Sequence, residues 1–349
     1  MPNPVLDLAA IFRAQALQRE RAAATQLVRA YGQVYRNLDP QIRALEEAVL
    51  RMEVPTAQQA RRLASLRVLR EQTAEQINRY AAFADTTITG EVQANIAVGL
   101  RDSAALVQAH FDPAWLAENG LRLNTDVQAA IRASWVNLPS EAVETMIGMT
   151  GADSPLRAAL VNRLGDTVAQ QMVNALVTGI AMGKNPRVIA REQMGAGLNY
   201  SLNTARTAQL WAYREASRAN YMANRDIVSG WRWHASLSSR TCPSCLAMHG
   251  TMHSVDEVLN DHDAGRCTML PIVPLAAKLG IPEPELGDSE VWLRAQPEKV
   301  QREILGKGVY EGMQQGRWGL RDLTTTYESR TYGTMRRAPT LEMLEALSR

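Results

Sequence analysis

Residues 205–235 read ARTAQLWAYREASRANYMANRDIVSGWRWHA, and the change of pattern at Gly230 decides the fold class. Before it lies a run from 199 to 228 that reads as one long helix, rich in Ala, Arg and Asn. Ala and Arg lose little side-chain entropy in a helix, which is why they accumulate there. After it, Trp231-Arg232-Trp233-His234-Ala235 alternates with period two, the pattern of a short strand. The expectation is a mainly α protein whose second, helical domain carries a small strand-containing knuckle.

Towards the N-terminus the helical reading continues. Leu8, Ile11, Phe12, Leu27, Val28, Tyr31, Val34 and Tyr35 recur at helical spacing over residues 5–37. Asp39-Pro40 is expected to break this helix, because proline removes a donor and clashes with the preceding turn. A second helix is expected through Ile42, Leu45, Val49 and Met52, stopped by Val54-Pro55. Thr56 with Gln59 three residues on has the form of a capping box opening a third, through Leu63, Leu66, Leu69, Ile77 and Tyr80. Three apolar-faced segments with tight breaks predict an N-terminal helical hairpin or bundle.

Further helical patterns run from about 86 to 110 and in shorter pieces to 148. Residues 150–155, Thr-Gly-Ala-Asp-Ser-Pro, are the clearest linker, with Ser154 placed to cap and Pro155 at the first helical position. A helix over 155–182, a turn at Gly183-Lys184-Asn185-Pro186 and a short helix follow. Pro274, Pro282 and Pro284 mark an irregular stretch before weaker helices near 297–316 and 340–348. The organisation expected is a helical region at 1–150, a helical domain at 151–275 with the knuckle at 230–275, and a tail at 276–349.

Composition excludes several classes. Hydrophobic residues make up 46%, too many for a disordered chain. A net charge of +2 does not mark a nucleic-acid binder. Of the 38 basic residues only Lys184, Lys278, Lys299 and Lys307 are lysines. Arginine forks onto phosphate oxygens, but a GC-rich coding sequence produces the same bias. The first fifteen residues lack the basic and apolar regions of a signal peptide, and the apolar stretch at 174–183 is too short to span a bilayer. Three cysteines, an odd number, argue against a disulfide framework and for synthesis in a reducing cytoplasm.

Those three cysteines fall within residues 242–267, and His249, His253 and His262 lie in the same window, with His234 just ahead. Cys242-Pro243-Ser244-Cys245 is followed, after sixteen intervening residues, by His262 and then Cys267. A Cys-x2-Cys turn aims two sulfurs at one point, and a distant pair can complete a tetrahedron around zinc. Cys242, Cys245, His262 and Cys267 are therefore the candidate ligands of a structural zinc, with His249 and His253 as rivals for the histidine place. His110 and His234, each beside apolar residues, read as packed or solvated side chains.

Enzyme motifs fail in detail. His249 and His253 are four apart, but Gly250 stands where a zinc protease needs its glutamate. No His-x-Glu precedes the Cys-x2-Cys, as a zinc deaminase requires. His262-Asp263 lacks recognisable partner ligands. Residues 179–185, from Gly179 to Asn185, are one residue short of a phosphate loop and end in Asn. No catalytic residues and no enzymatic activity are expected.

The order of features from Ala205 to Pro271 resembles the phage Mu F-like minor head proteins, also called phage head morphogenesis proteins. The features are Ala205-Arg206-Thr207, Gly230-Trp231-Arg232-Trp233, Ser239-Arg240-Thr241-Cys242-Pro243-Ser244-Cys245, Leu246-Ala247-Met248-His249-Gly250 and His262-Asp263-Ala264-Gly265-Arg266-Cys267. Gly265 stands where the family often has a further cysteine. The resemblance extends more loosely over 155–325, through Trp292, Gln301 and 316–323.

It implies a minor structural protein of a tailed-phage virion, made in the host cytoplasm and placed in the head interior or at the portal vertex. Implied partners are the portal protein, other head proteins and packaged DNA bound non-specifically, with roles in head morphogenesis, packaging or ejection. Neither a membrane nor a small-molecule substrate is implied. The alternative, a cytoplasmic zinc-knuckle DNA-binding protein, is disfavoured by residues 246–263, which hold Asp256, Glu257, Asp261 and Asp263 and no Lys or Arg.

Overall fold

The computed structural model describes residues 3–123, 125–164 and 166–347. The chain is mainly helical, in this order: α1 (Pro4–Leu50), α2 (Ala57–Arg62), α3 (Ala64–Ala109), α4 (Pro113–Glu118), α5 (Thr125–Ser134) and α6 (Ser140–Ile147). Then come α7 (Pro155–Leu164), α8 (Asp166–Ala181) and the 38-residue α9 (Pro186–Ala223). The knuckle contains β1 (Gly230–His234), α10 (Pro243–Met248), β2 (Met252–Ser254) and β3 (Thr268–Ile272). Beyond it lie α11 (Pro274–Lys278), α12 (Ser289–Arg294), α13 (Glu298–Leu305) and α14 (Lys307–Gln314). A hairpin of β4 (Thr325–Ser329) and β5 (Gly333–Arg337), which the sequence reading did not foresee, precedes α15 (Leu341–Leu347).

Contacts divide the chain into two compact units, each drawn from separate stretches. One comprises Leu17–Gln93 and Gly148–Gln209; the other comprises Met1–Ala16, Ala94–Ile147 and Leu210–Arg349.

In the first unit α1 buries Leu27, Tyr31, Val34, Leu38, Ile42 and Leu45. Their spacing of three and four residues is that of a helix presenting one apolar stripe to its neighbours. Tyr31 meets Tyr80 of α3 edge to face, with ring centroids 4.6 Å apart. Asp85 of α3 is held in fork fashion by Arg157 of α7, with N–O distances of 2.6–3.0 Å.

Pro40 does not break α1, contrary to the expectation from Asp39-Pro40: the helix continues to Leu50. An internal proline costs about 3 kcal/mol. Leu38, Ile42 and Leu45, all fully buried, flank it, and each contributes about 1.5–3 kcal/mol of burial. Packing therefore overrides the local signal. The Thr56–Gln59 capping box is present as read, though it opens the short α2 rather than one long helix. Ser154 caps α7 through the Arg157 amide. The helix expected over 155–182 is divided into α7 and α8, with residue 165 outside the described positions. The short helix expected after the turn at 183–186 and the long one at 199–228 are a single helix, α9.

In the second unit the sheet has strand order β2-β1-β3, all antiparallel. Trp231 pairs with His253 on one side and Pro271 on the other, and Trp233 opposes Met269. Both tryptophans are fully buried, in a core with Tyr221, Phe111, Leu259 and Cys267. The end of α9 approaches α3 closely. A Cβ on Gly99 would lie 2.5 Å from the Tyr213 carbonyl oxygen, and Ser217 donates to the Gly99 carbonyl at 3.3 Å. That approach fixes the level at which Arg214 emerges from α9.

Candidate metal centre

Antiparallel pairing of β1 with β3 brings two distant pieces of chain together. One leaves β1 and turns into α10; the other is the loop at 255–267 that leads into β3. Cys242 is the N-cap of α10, where its sulfur accepts the Cys245 amide at 3.3 Å. Pro243 suits the first helical position because its missing N–H would have had no partner there. One helical turn then places Cys245 Sγ 3.3 Å from Cys242 Sγ.

From the loop, His262 Nε2 lies 3.3 Å from Cys245 Sγ, while Nδ1 faces the Asp263 carbonyl at 2.8 Å. A proton on Nδ1 leaves Nε2 as the nitrogen turned to the sulfurs. Cys267, fully buried at the foot of β3, joins from the other side. The donor atoms form two triads that share Cys245: Cys242, Cys245 and His262, and Cys245, Asp261 and Cys267. Within each triad all donor atoms lie within 4.8 Å of one another. All four residues proposed from spacing are thus in one cluster, with Asp261 as an additional member.

The donor set fits zinc. Ordinary zinc–sulfur and zinc–nitrogen bond lengths give tetrahedron edges of about 3.5–3.8 Å, a few tenths longer than the 3.3 Å separations here. Without metal only Cys242 is disposed to ionise, so zinc would have to displace protons from Cys245, Cys267 and His262. The hydrogen bond from the Cys245 thiol is the main reason Cys242 is held down at about 5; burial opposes it and His262 assists. The same sharing raises Cys245 well above its usual value. Burial works against charge on His262, but Cys242 and Asp261 outweigh it and raise the imidazole to about 9. Burial pushes Cys267 up, while the Cys245 thiol, Arg214 and the Trp233 indole pull the other way. The Trp233 Nε1–H is buried with no conventional acceptor, and a thiolate at Cys267 would supply one.

The rival histidines are committed elsewhere. His249 is buried, accepting the Ala235 amide at Nδ1 (3.1 Å) and facing the Leu286 carbonyl with Nε2 (3.1 Å). His253 stacks on Trp231 at 4.3 Å, with Thr251 on Nε2 and Glu257 on Nδ1, each at 2.9 Å. His110 is packed, with Nδ1 against the Leu106 carbonyl. His234 takes a hydrogen bond from Arg13 at 2.9 Å.

In the sequence Asp261 stands out only as one of several acids in its loop. Arg214 carries no signal of its own, being one of five arginines in α9. Asp261 is buried, yet its carboxyl stays below the usual range: burial opposes ionisation, and Arg214, His262 and the amides of Cys267 and His262 overcome it.

These features define a helical protein with a small three-stranded knuckle whose cysteine, histidine and aspartate cluster can hold a metal ion. Residues 166–271 match the family model described as Phage Mu protein F like protein, which bears out the resemblance read from Ala205 to Pro271. The matched stretch runs from the start of α8 through β3, so it contains all of Cys242, Cys245, His262 and Cys267. Searches of curated proteins and of solved structures yield no match. Among the described residues, no helix is long and apolar enough to cross a membrane.

Proposed function

We propose that this chain is a minor head protein of a tailed bacteriophage, acting in head morphogenesis beside the portal and incorporated into the virion. The observation that carries the reading is the Phage Mu protein F like match over residues 166–271, which includes the whole metal cluster. Zinc held by Cys242, Cys245, His262 and Cys267 acts here as a structural staple. It holds the α10 turn and the 255–267 loop together. With all four positions taken by protein ligands, zinc has no open place for substrate or water, which suits a role without catalytic turnover. The long helices supply extended faces for contact with the portal and other head proteins. Any contact with packaged DNA is non-specific and made by arginines.

The test is protein analysis of purified virions and procapsids, together with deletion of the gene. The expected result is the chain present in few copies in both particles, and deletion particles that are defective in assembly or infectivity. Absence from both particles, with infectivity unchanged by deletion, would overturn the reading.

A further inference from the structure

Arg214 projects from α9 and is 4% exposed, yet every acceptor it reaches lies in residues 261–267. Its Nε donates to the Cys267 carbonyl at 2.9 Å. Its Nη2 donates to the Gly265 carbonyl at 2.7 Å and to Asp261 Oδ2 at 2.9 Å. Asp261, 2% exposed, relays that hold onto the ligand residues themselves. Oδ2 accepts the Cys267 amide at 3.1 Å, and Oδ1 accepts the His262 amide at 2.9 Å.

A buried ion pair of this kind is a poor source of net stability, because desolvating two charges offsets most of their attraction. What it supplies here is loop shape. The loop needs outside support: Ala264 has φ 57°, a left-handed conformation unfavourable for a residue with a side chain. Gly265 has no room for a side chain either, since a Cβ would lie 2.2 Å from Asp261 Oδ2. Arg214 grips the carbonyl of that glycine, and Asp261 orients the amides on either side of the turn. The positive charge of Arg214 also offsets the carboxylate, which would otherwise add to the negative charge of three thiolates.

Resting on the metal reading above, we propose that Arg214 and Asp261 are positioning residues that preset His262 and Cys267 for the metal, coupling metal affinity to helix α9. The experiment uses the full chain with zinc and cobalt(II) as probes. Zinc affinity is measured by chelator competition for wild type, Arg214→Met, Asp261→Asn and the Arg214→Met/Asp261→Asn double variant. Arg214→Met alone strands a buried carboxylate, at a cost large enough to threaten folding; the double variant removes both charges and separates folding from positioning. The expected result is a double variant whose zinc-loaded thermal midpoint is close to wild type. Its zinc affinity should be weaker by about 10- to 100-fold, the usual effect of losing groups that orient metal ligands.

Thiolate-to-cobalt absorption per bound ion should stay unchanged, because the ligands are the same. A double variant that binds zinc as tightly as wild type would overturn the proposal and leave the metal reading intact. A changed cobalt spectrum in Asp261→Asn would make Asp261 a ligand and overturn the positioning role. A wild-type chain that takes up neither metal would overturn both readings.

Discussion

His262 Nε2 lies 3.3 Å from Cys245 Sγ, and Cys245 is the one residue common to both triads of donor atoms. Removing this sulfur therefore withdraws a donor from both halves of the cluster. The wild-type chain, purified without chelator, is expected to carry one zinc per chain. Cys245→Ser should lose it and open residues 230–275 to protease, while far-ultraviolet circular dichroism keeps most of its helical signal. Structural zinc contributes on the order of 10 kcal/mol of apparent folding free energy to small modules, so the local effect should be large. Full zinc occupancy in Cys245→Ser by elemental analysis would contradict the assignment.

The three histidines of the window should separate cleanly. His262→Ala is expected to lower zinc occupancy sharply. His253→Gln should leave it unchanged, since both nitrogens of His253 are turned to Thr251 and Glu257. His249→Ala should also keep the metal, but at a cost of about 1–3 kcal/mol from the Ala235 amide left without its acceptor. Metal content and denaturation midpoints of the three variants decide the matter; zinc loss confined to His253→Gln would reverse it.

Pro40 sits inside α1 and cannot donate to the Arg36 carbonyl one turn earlier. Pro40→Ala restores that donor and removes the ring clash, while the unfolded chain regains about 1 kcal/mol of freedom. A net stabilisation of about 2 kcal/mol is expected. Ile42→Ala, at a fully buried site two residues on, should cost about 2–5 kcal/mol. Urea titrations read both, and a destabilised Pro40→Ala would show that the proline is required where it stands.

His234 should make the fold acid-sensitive. Burial, then the charge of Arg13, then His249 lower it from 6.5 to about 3, so it is neutral in the native state. Between about pH 3 and 6.5 the unfolded chain therefore binds the extra proton. The stability contributed by neutral His234 is complete above 6.5 and lost as pH falls through that window. His234→Gln should flatten the acid limb relative to wild type when thermal midpoints are compared from pH 4 to 7. Parallel limbs for the two proteins would mean that His234 is protonated in the fold.

Much of this protein could be read before its structure was known, wherever the signal is local. Apolar periodicity places α1 and α3, the Thr56–Gln59 box and the Ser154-Pro155 cap mark helix starts, and Gly230 marks the change to β1. Cys242 and Cys245 were legible as a pair because one helical turn separates them, a constraint contained in four residues. Relations across long separations were not legible. Whether Pro40 ends a helix depends on what Leu38, Ile42 and Leu45 bury themselves against, and chain order does not state that. His249, His253 and His262 are equivalent in spacing terms; only the packed structure commits two of them to carbonyls, amides and ring faces and leaves Nε2 of the third beside a sulfur. Arg214 lies 47 residues from Asp261, in a helix that also carries Arg187, Arg191, Arg206 and Arg218. Its identity as the one gripping the loop was decided by the close approach of α9 to α3 at Gly99 and the pairing of β1 with β3. Local propensity acts over a turn or a strand, whereas burial and charge pairing act through space.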